Sequence, residues 1–189
     1  MADFPQRIQI NEEGPREGFQ FEKGPIATNR KIELVDALSQ TGLQQIQVCS
    51  FVPPKNVPGM ADADDVVKGF TRRPGIRYTA LWLNEKGLHR ALESGKLDVK
   101  GSIALTASAA FLQRNQNRTM EQNVEAQRRI IDMYKEHRVP VERASVMAAF
   151  GCNFEGDIPV KRLLEVVRQA LDLAHEAEIE IKVLSLADT

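Results

Sequence analysis

Short runs of alternating or β-branched apolar residues follow one another along the chain, with longer amphipathic stretches between them. The short runs predict strands at residues 7–12, 45–50, 77–83, 99–106, 143–150 and 180–186, and the longer ones predict helices at 28–40, 62–71, 85–93, 120–137 and 159–178. In the last helix Val160, Leu163, Leu164, Val167, Leu171 and Ala174 recur at three- and four-residue steps as one apolar stripe, and Pro159 falls where a first turn tolerates proline. Gly42 and Gly95 follow helices as left-handed stops. His89, His137 and His175 fall on helices, too far apart in sequence to share a helix face as metal ligands, and read as helix-surface residues.

Strands that alternate with helices in this way imply a parallel sheet with right-handed crossovers, in an α/β domain spanning residues 1–189. Two architectures satisfy the pattern: a doubly wound open sheet, and a TIM barrel, which needs eight units and about 250 residues. No Gly-x-Gly-x-x-Gly follows the first strand and no Gly-x-x-x-x-Gly-Lys-Ser/Thr occurs, so the common phosphate loops give the open sheet no support.

Composition narrows the class of partner. The chain has 189 residues, 42% hydrophobic, enough for one sizeable core. Its 25 Lys and Arg balance 26 Asp and Glu, so net charge draws it neither to nucleic acid nor to anionic lipid. No apolar run approaches the roughly 20 residues of a membrane helix. The opening MADFPQRI has neither a basic nor an apolar signal region, so the expected location is cytoplasmic. Cys49 and Cys152 end apolar runs and read as reduced, buried thiols.

In either parallel architecture the ligand site lies at the carboxyl ends of the strands. Glu12, Glu13, Arg16 and Glu17 gather there after the first predicted strand, Gln47, Cys49 and Ser50 at the second, Trp82 and Asn84 at the third. Thr106 and Ser108 end the fourth, Cys152 and Asn153 the fifth, Ser185, Asp188 and Thr189 the sixth. An arginine beside a carboxylate can polarise a carbonyl while the acid holds a hard divalent cation. The same residues with Gly14, Pro15 and Gly18 also suit a salt-bridged turn, and spacing leaves both readings open. Asp188 is equally open between a site carboxylate and a helix cap. The loop SFVPPKNVPGMADADDV, residues 50–66, is stiffened by three prolines and projects Lys55, either toward a ligand's anionic group or into solvent.

Together GPREGFQFEK, SFVPPKNVPGMAD, GCNFEG and the closing SLADT resemble, in order and spacing, the 3-hydroxy-3-methylglutaryl-CoA lyase family of TIM-barrel metallolyases, from about residue 6 onward. The resemblance implies an α/β fold, a portion of about six strands and five helices of a TIM (β/α)8-type barrel. It implies retro-Claisen cleavage of a short 3-hydroxyacyl-CoA with an Mg2+ or Mn2+ ion. By the same match Arg16 is the carbonyl-polarising group, Glu17 the metal ligand and Asp188 the group handling the hydroxyl proton. Lys23, Gln47 and Ser50 become contacts for the substrate or its CoA portion, and Glu12 supports the rim.

The motif differs from the family pattern in three respects. Arg16-Glu17-Gly18 stands where the lyases carry Arg-Asp-Gly and related condensing enzymes such as homocitrate synthase carry Arg-Glu-Gly; Gln47 stands for a glutamate. The family's His-x-His pair and cysteine loop do not occur in these residues. The expected partners are an acyl-CoA substrate and either a second copy or a further C-terminal segment that closes the barrel, with no nucleic acid and no membrane. Alongside cleavage, the residues leave open Claisen condensation and a non-catalytic acyl-CoA-binding subunit.

Overall fold

A computed structural model describes residues 5–188; residues 1–4, and Thr189 at the expected rim, lie outside the described residues. The chain divides into two compact units, Met1–Val99 and Lys100–Thr189.

In the first unit β1 (Asn11–Glu12), α1 (Gly14–Phe21), α2 (Thr28–Leu38), β2 (Gln45–Phe51), a 3-10 turn (Pro58–Met60), α3 (Ala63–Gly69), β3 (Arg77–Trp82) and α4 (Glu85–Glu93) follow in order. The strands are parallel in the order β1-β2-β3, with Glu12 opposite Ile46 and Ile46 opposite Tyr78. Ile46, Val48 and Tyr78 point with Val35, Val66, Val67 and Phe70 into one apolar core. Each such side chain stabilises by about 1.5–3 kcal/mol. Alternation along β2 therefore leaves Gln47 on the opposite face of the sheet.

In the second unit β4 (Gly101–Thr106), α5 (Ala109–Gln116), α6 (Met120–Glu136), β5 (Val141–Met147), β6 (Gly151–Cys152), β7 (Gly156–Asp157), α7 (Val160–Glu176) and β8 (Val183–Leu186) follow. Here β4-β5-β8 are parallel, and β6 and β7 form a small antiparallel ribbon. Ile103, Leu105, Ala144 and Val146 meet Val166, Ala170 and Leu173 of α7 in a second core. Helix starts are capped as their sequences require: the Asn84, Ser108 and Thr119 side chains accept from backbone N–H groups of α4, α5 and α6, and Gln122 completes a capping box on α6. Gly42 and Gly95 have φ of 87° and 60°, the left-handed conformation expected of them.

Three expectations change. The first strand is short, because β2 begins at Gln45 and pairs only Asn11 and Glu12, leaving Ile8 and Ile10 exposed. The stretch for which a salt-bridged turn was one of two open readings is helix α1, since proline at its start costs no intrahelical bond. The stripe on α7 is rotated: Val166, Ala170, Leu173 and Ala174 are buried, while Val160, Leu164 and Leu171 face outward. Apolar residues cover more than half of α7, and the arc with two small residues lets helix and sheet approach closely. Among the described residues no helix is long and apolar enough to cross a membrane.

Candidate active site

The carboxyl end of β1 runs directly into α1, and Glu12 closes that turn: its Oε1 accepts the Gly14 backbone N–H at 2.6 Å. The first turn of α1 then carries Arg16 and Glu17. Arg16 is only 14% exposed, and its guanidinium is held on three sides. Nε donates to Oε1 of Gln47 at 2.6 Å, Nη1 to Oε2 of Glu17 and Nη2 to Oε2 of Glu13. A guanidinium has five N–H donors. Each Nη therefore keeps one uncommitted by these contacts, on a planar, permanently charged group that carbonyl or carboxylate oxygens match.

One guanidinium against two carboxylates leaves a local excess of negative charge, with Glu13 and Glu17 each about half exposed. Such oxygen donors suit a hard divalent cation. Arg16 engages one oxygen of Glu17 and so does not exhaust that carboxylate.

The remaining predicted residues of this unit take different places. Ser50 is wholly buried, and its hydroxyl donates to Oε1 of Gln20 at 3.0 Å, tying β2 to the second turn of α1. Lys23 is exposed in the loop after α1, and Lys55 is exposed in the proline loop. Unit one thus brings Arg16, Glu17, Gln47 and Glu12 together at one strand rim. In the second unit Asp188 is exposed just past β8, where Ala187 still donates to the Val146 carbonyl at 2.9 Å.

Glu13, gathered at the rim by the sequence, binds Arg16. The sequence did not bring Lys31 and Asp62 together: Lys31 Nζ donates to Oδ1 of Asp62 and to the Gly59 carbonyl, both at 2.6 Å. Partial burial pushes the Asp62 carboxyl up, but hydrogen bonds from Lys31 and Thr28 outweigh it and hold its pKa below the ordinary 3.8. The available signal was the spacing of Lys31 four residues before Val35, on the buried face of α2.

The two cysteines differ more than expected. Cys49 is buried, and loss of solvent pushes its thiol up to about 12. Cys152 is only half-buried, contrary to expectation, because it lies in the exposed β6–β7 ribbon. Its Sγ lies 3.1 Å from the Ser108 hydroxyl, a hydrogen bond that draws its pKa below 9.0.

This order of motifs and this geometry can be set beside known proteins. The sequence model of the HMGL-like family matches residues 7–189. The chain belongs to the HMGL-like family. It is 40% identical over 167 residues to the 3-hydroxy-3-isohexenylglutaryl-CoA/hydroxy-methylglutaryl-CoA lyase of Pseudomonas aeruginosa, covering 88% of this chain and 55% of that protein. The crystal structure of Bacillus subtilis HMG-CoA lyase superposes with a TM-score of 0.83 at 33% identity, covering 98% of this chain and 59% of that one. An HMG-CoA lyase from Acinetobacter baumannii, solved with coenzyme A and 3-methylmalate, superposes at 0.81 with 31% identity, covering 100% of this chain and 59% of that one. The chain thus spans between half and two thirds of the length of these relatives.

The HMGL-like fold is an α/β barrel of the TIM type, and each unit of this chain supplies three parallel strands among the described residues. Divalent-metal dependence is a property of the family, and the oxygen donors around Arg16 fit such an ion.

Proposed function

We infer that this chain forms part of a carbon–carbon lyase that cleaves 3-hydroxy-3-methylglutaryl-CoA, or a close 3-hydroxyacyl-CoA, to acetyl-CoA and an oxo acid. The observation that carries the reading is Arg16, an enclosed guanidinium fixed by Gln47, Glu17 and Glu13 with two N–H donors still to offer. In the cleavage the 3-hydroxyl loses its proton and its oxygen becomes the new carbonyl. The bond between C2 and C3 breaks, and its electron pair passes into the thioester as an enolate, which takes up a proton to give acetyl-CoA. Arg16 stabilises the oxygen on which negative charge develops, where fixed donors in a partly desolvated site act most strongly.

Glu17 is the residue of this rim that would hold Mg2+ or Mn2+. When bound, such an ion adds positive charge beside the same oxygens. Asp188 receives the hydroxyl proton in this reading, Lys23 meets an anionic part of the CoA moiety, and Gln47 contacts the acyl portion while orienting Arg16. Ser50 and Glu12 act through α1, the first by holding Gln20 and the second by closing the turn at Gly14. The relatives' names and the CoA complex of the A. baumannii enzyme support an acyl-CoA substrate. The proposal includes a second copy or further chain around the barrel, and a cytoplasmic location; relatives include both cytoplasmic and mitochondrial lyases.

Arg16→Lys tests the reading. Lysine keeps the charge but loses the planar fork, and the rate of acetyl-CoA formation from 3-hydroxy-3-methylglutaryl-CoA is expected to fall about 10²–10³-fold. A variant as active as the wild type would remove Arg16 from the chemistry. The order Arg16-Glu17-Gly18 favours a second reading, condensation. Free thiol released from acetyl-CoA with a 2-oxo acid, without cleavage of the hydroxyacyl-CoA, is its signature.

A further inference from the structure

Lys31 is buried on the same face of α2 as Val35, with its side chain 6% exposed. An ammonium leaves water at a steep cost unless its donors are committed. Nζ here meets the Gly59 carbonyl and Asp62 Oδ1, each at 2.6 Å, and stands 5.8 Å from the centre of the Phe19 ring. Asp62 in turn accepts the Thr28 hydroxyl on its other oxygen at 2.8 Å, so both charges are closed off.

These partners come from three different segments. Phe19 belongs to α1, Gly59 to the 3-10 turn, and Asp62 immediately precedes α3. The turn and α1 also touch directly: a Cβ added at Gly59 would lie 2.6 Å from the Phe19 carbonyl oxygen, so the two backbones meet where no side chain fits. Helix α1 has eight residues, and its N-cap residue, Glu13, makes no side-chain cap. A helix of that length does not hold itself in water. Its first turn nevertheless carries Arg16 and Glu17, and its second turn rests on the segment that Lys31 grips.

We propose that Lys31 and Asp62 are positioning residues for Arg16 and Glu17: the buried pair clamps the 3-10 turn against Phe19 and so fixes the height and tilt of α1. This rests on the reading of Arg16 as the group that stabilises developing charge. An apolar side chain at position 31 would fill the same space but could not bind the Gly59 carbonyl. Misplacement by about 1 Å at the reacting groups costs roughly a hundredfold in rate.

The test compares the wild-type chain with Lys31→Met/Asp62→Asn, a double variant that strands no buried charge, using amide hydrogen exchange and steady-state cleavage of 3-hydroxy-3-methylglutaryl-CoA with Mn2+. Exchange across α1 is expected to become about tenfold faster or more, with β2 and β3 protected as before. The kcat is expected to drop about a hundredfold with KM within about twofold, as for a group needed only in the transition state. Unchanged α1 exchange in the folded double variant overturns the clamp, whether or not the wild-type chain turns over. Equal loss of protection in α1 and β2, or a kinetic loss confined to KM, also overturns it, because the pair would then serve general stability. A wild-type chain with no turnover in either direction, even with the barrel completed by a second copy or the further segment, overturns the lyase reading, and the exchange comparison then still decides whether Lys31 holds α1.

Discussion

Arg16 and Gln47, 31 residues apart in sequence, fix each other's orientation through the 2.6 Å bond from Nε to Oε1. Arginine has no acceptor, so the glutamine must present its oxygen to it and turn its NH2 away. The amide satisfies Nε without adding charge. Gln47→Glu would place a third carboxylate around Arg16, and the dissociation constant for Mn2+ is expected to fall about tenfold. Gln47→Leu leaves Nε–H unpaired in a half-buried place, costing about 1–2 kcal/mol in urea unfolding. Calorimetric titration of Mn2+ against both variants separates charge from packing.

The thiols give a prediction that needs no substrate. Thiolate is the reactive form, and Cys49, pushed up to about 12 by burial, presents almost none at neutral pH. Cys152 is half-buried, and the Ser108 hydroxyl holds its pKa below the usual thiol value. A chromogenic disulfide reagent at pH 7.5 is expected to titrate one thiol in the native chain and both in denaturant. Cys152→Ser should abolish the native reaction, and Ser108→Ala should slow it. Native reaction at Cys49 would contradict the burial described for β2.

How far the sequence carried this reading depended on the range of each interaction. Periodicity located β2, β3, α4 and α6 closely, because alternation and amphipathic spacing are set by neighbours in the chain. It missed α1, where Gly14, Pro15 and Gly18 resemble turn residues while proline at the start of a helix costs nothing. It missed α5, eight residues ended by Asn117 in the left-handed conformation. The rim positions of Arg16, Glu17 and Gln47 were legible because strand ends are. The bond between Arg16 and Gln47 was not, since it depends on how β1 and α1 lie against β2. Lys31 was not singled out, because its partners, Gly59 and Asp62, are about 30 residues away.

Glu142, in β5, joins Lys100 just before β4 and Lys182 just before β8, each at 2.7 Å. Hydrogen bonds from the two ammonium groups pull its carboxyl down to about 2 from an ordinary 4.5. A depressed carboxylate contributes stability that is fully present above its unfolded value and is lost as pH falls through its folded value. The contribution of Glu142 therefore declines as pH drops from 4.5 toward about 2. The melting temperature of Glu142→Gln is expected to lie slightly below wild type at pH 6 and to converge on it by about pH 2. Added salt should narrow the gap at pH 6, because both ion pairs are partly exposed.

Thr79 in β3 lies opposite Gln47 in the parallel register, and its hydroxyl is buried without a hydrogen-bond partner among the described residues. A buried hydroxyl left unpaired costs about 1–3 kcal/mol relative to one that is satisfied. Valine has nearly the same shape, carries no donor and suits a strand. Thr79→Val is therefore expected to raise unfolding stability by about 1 kcal/mol, read as a higher urea midpoint at unchanged m. Thr79→Ser keeps the hydroxyl and loses a methyl group, and should lower the midpoint by about 1 kcal/mol of stability. A fall in stability for valine would mean that the hydroxyl is engaged in solution by water or ligand. In that case its position beside Gln47 would make it part of the polar surface next to Arg16.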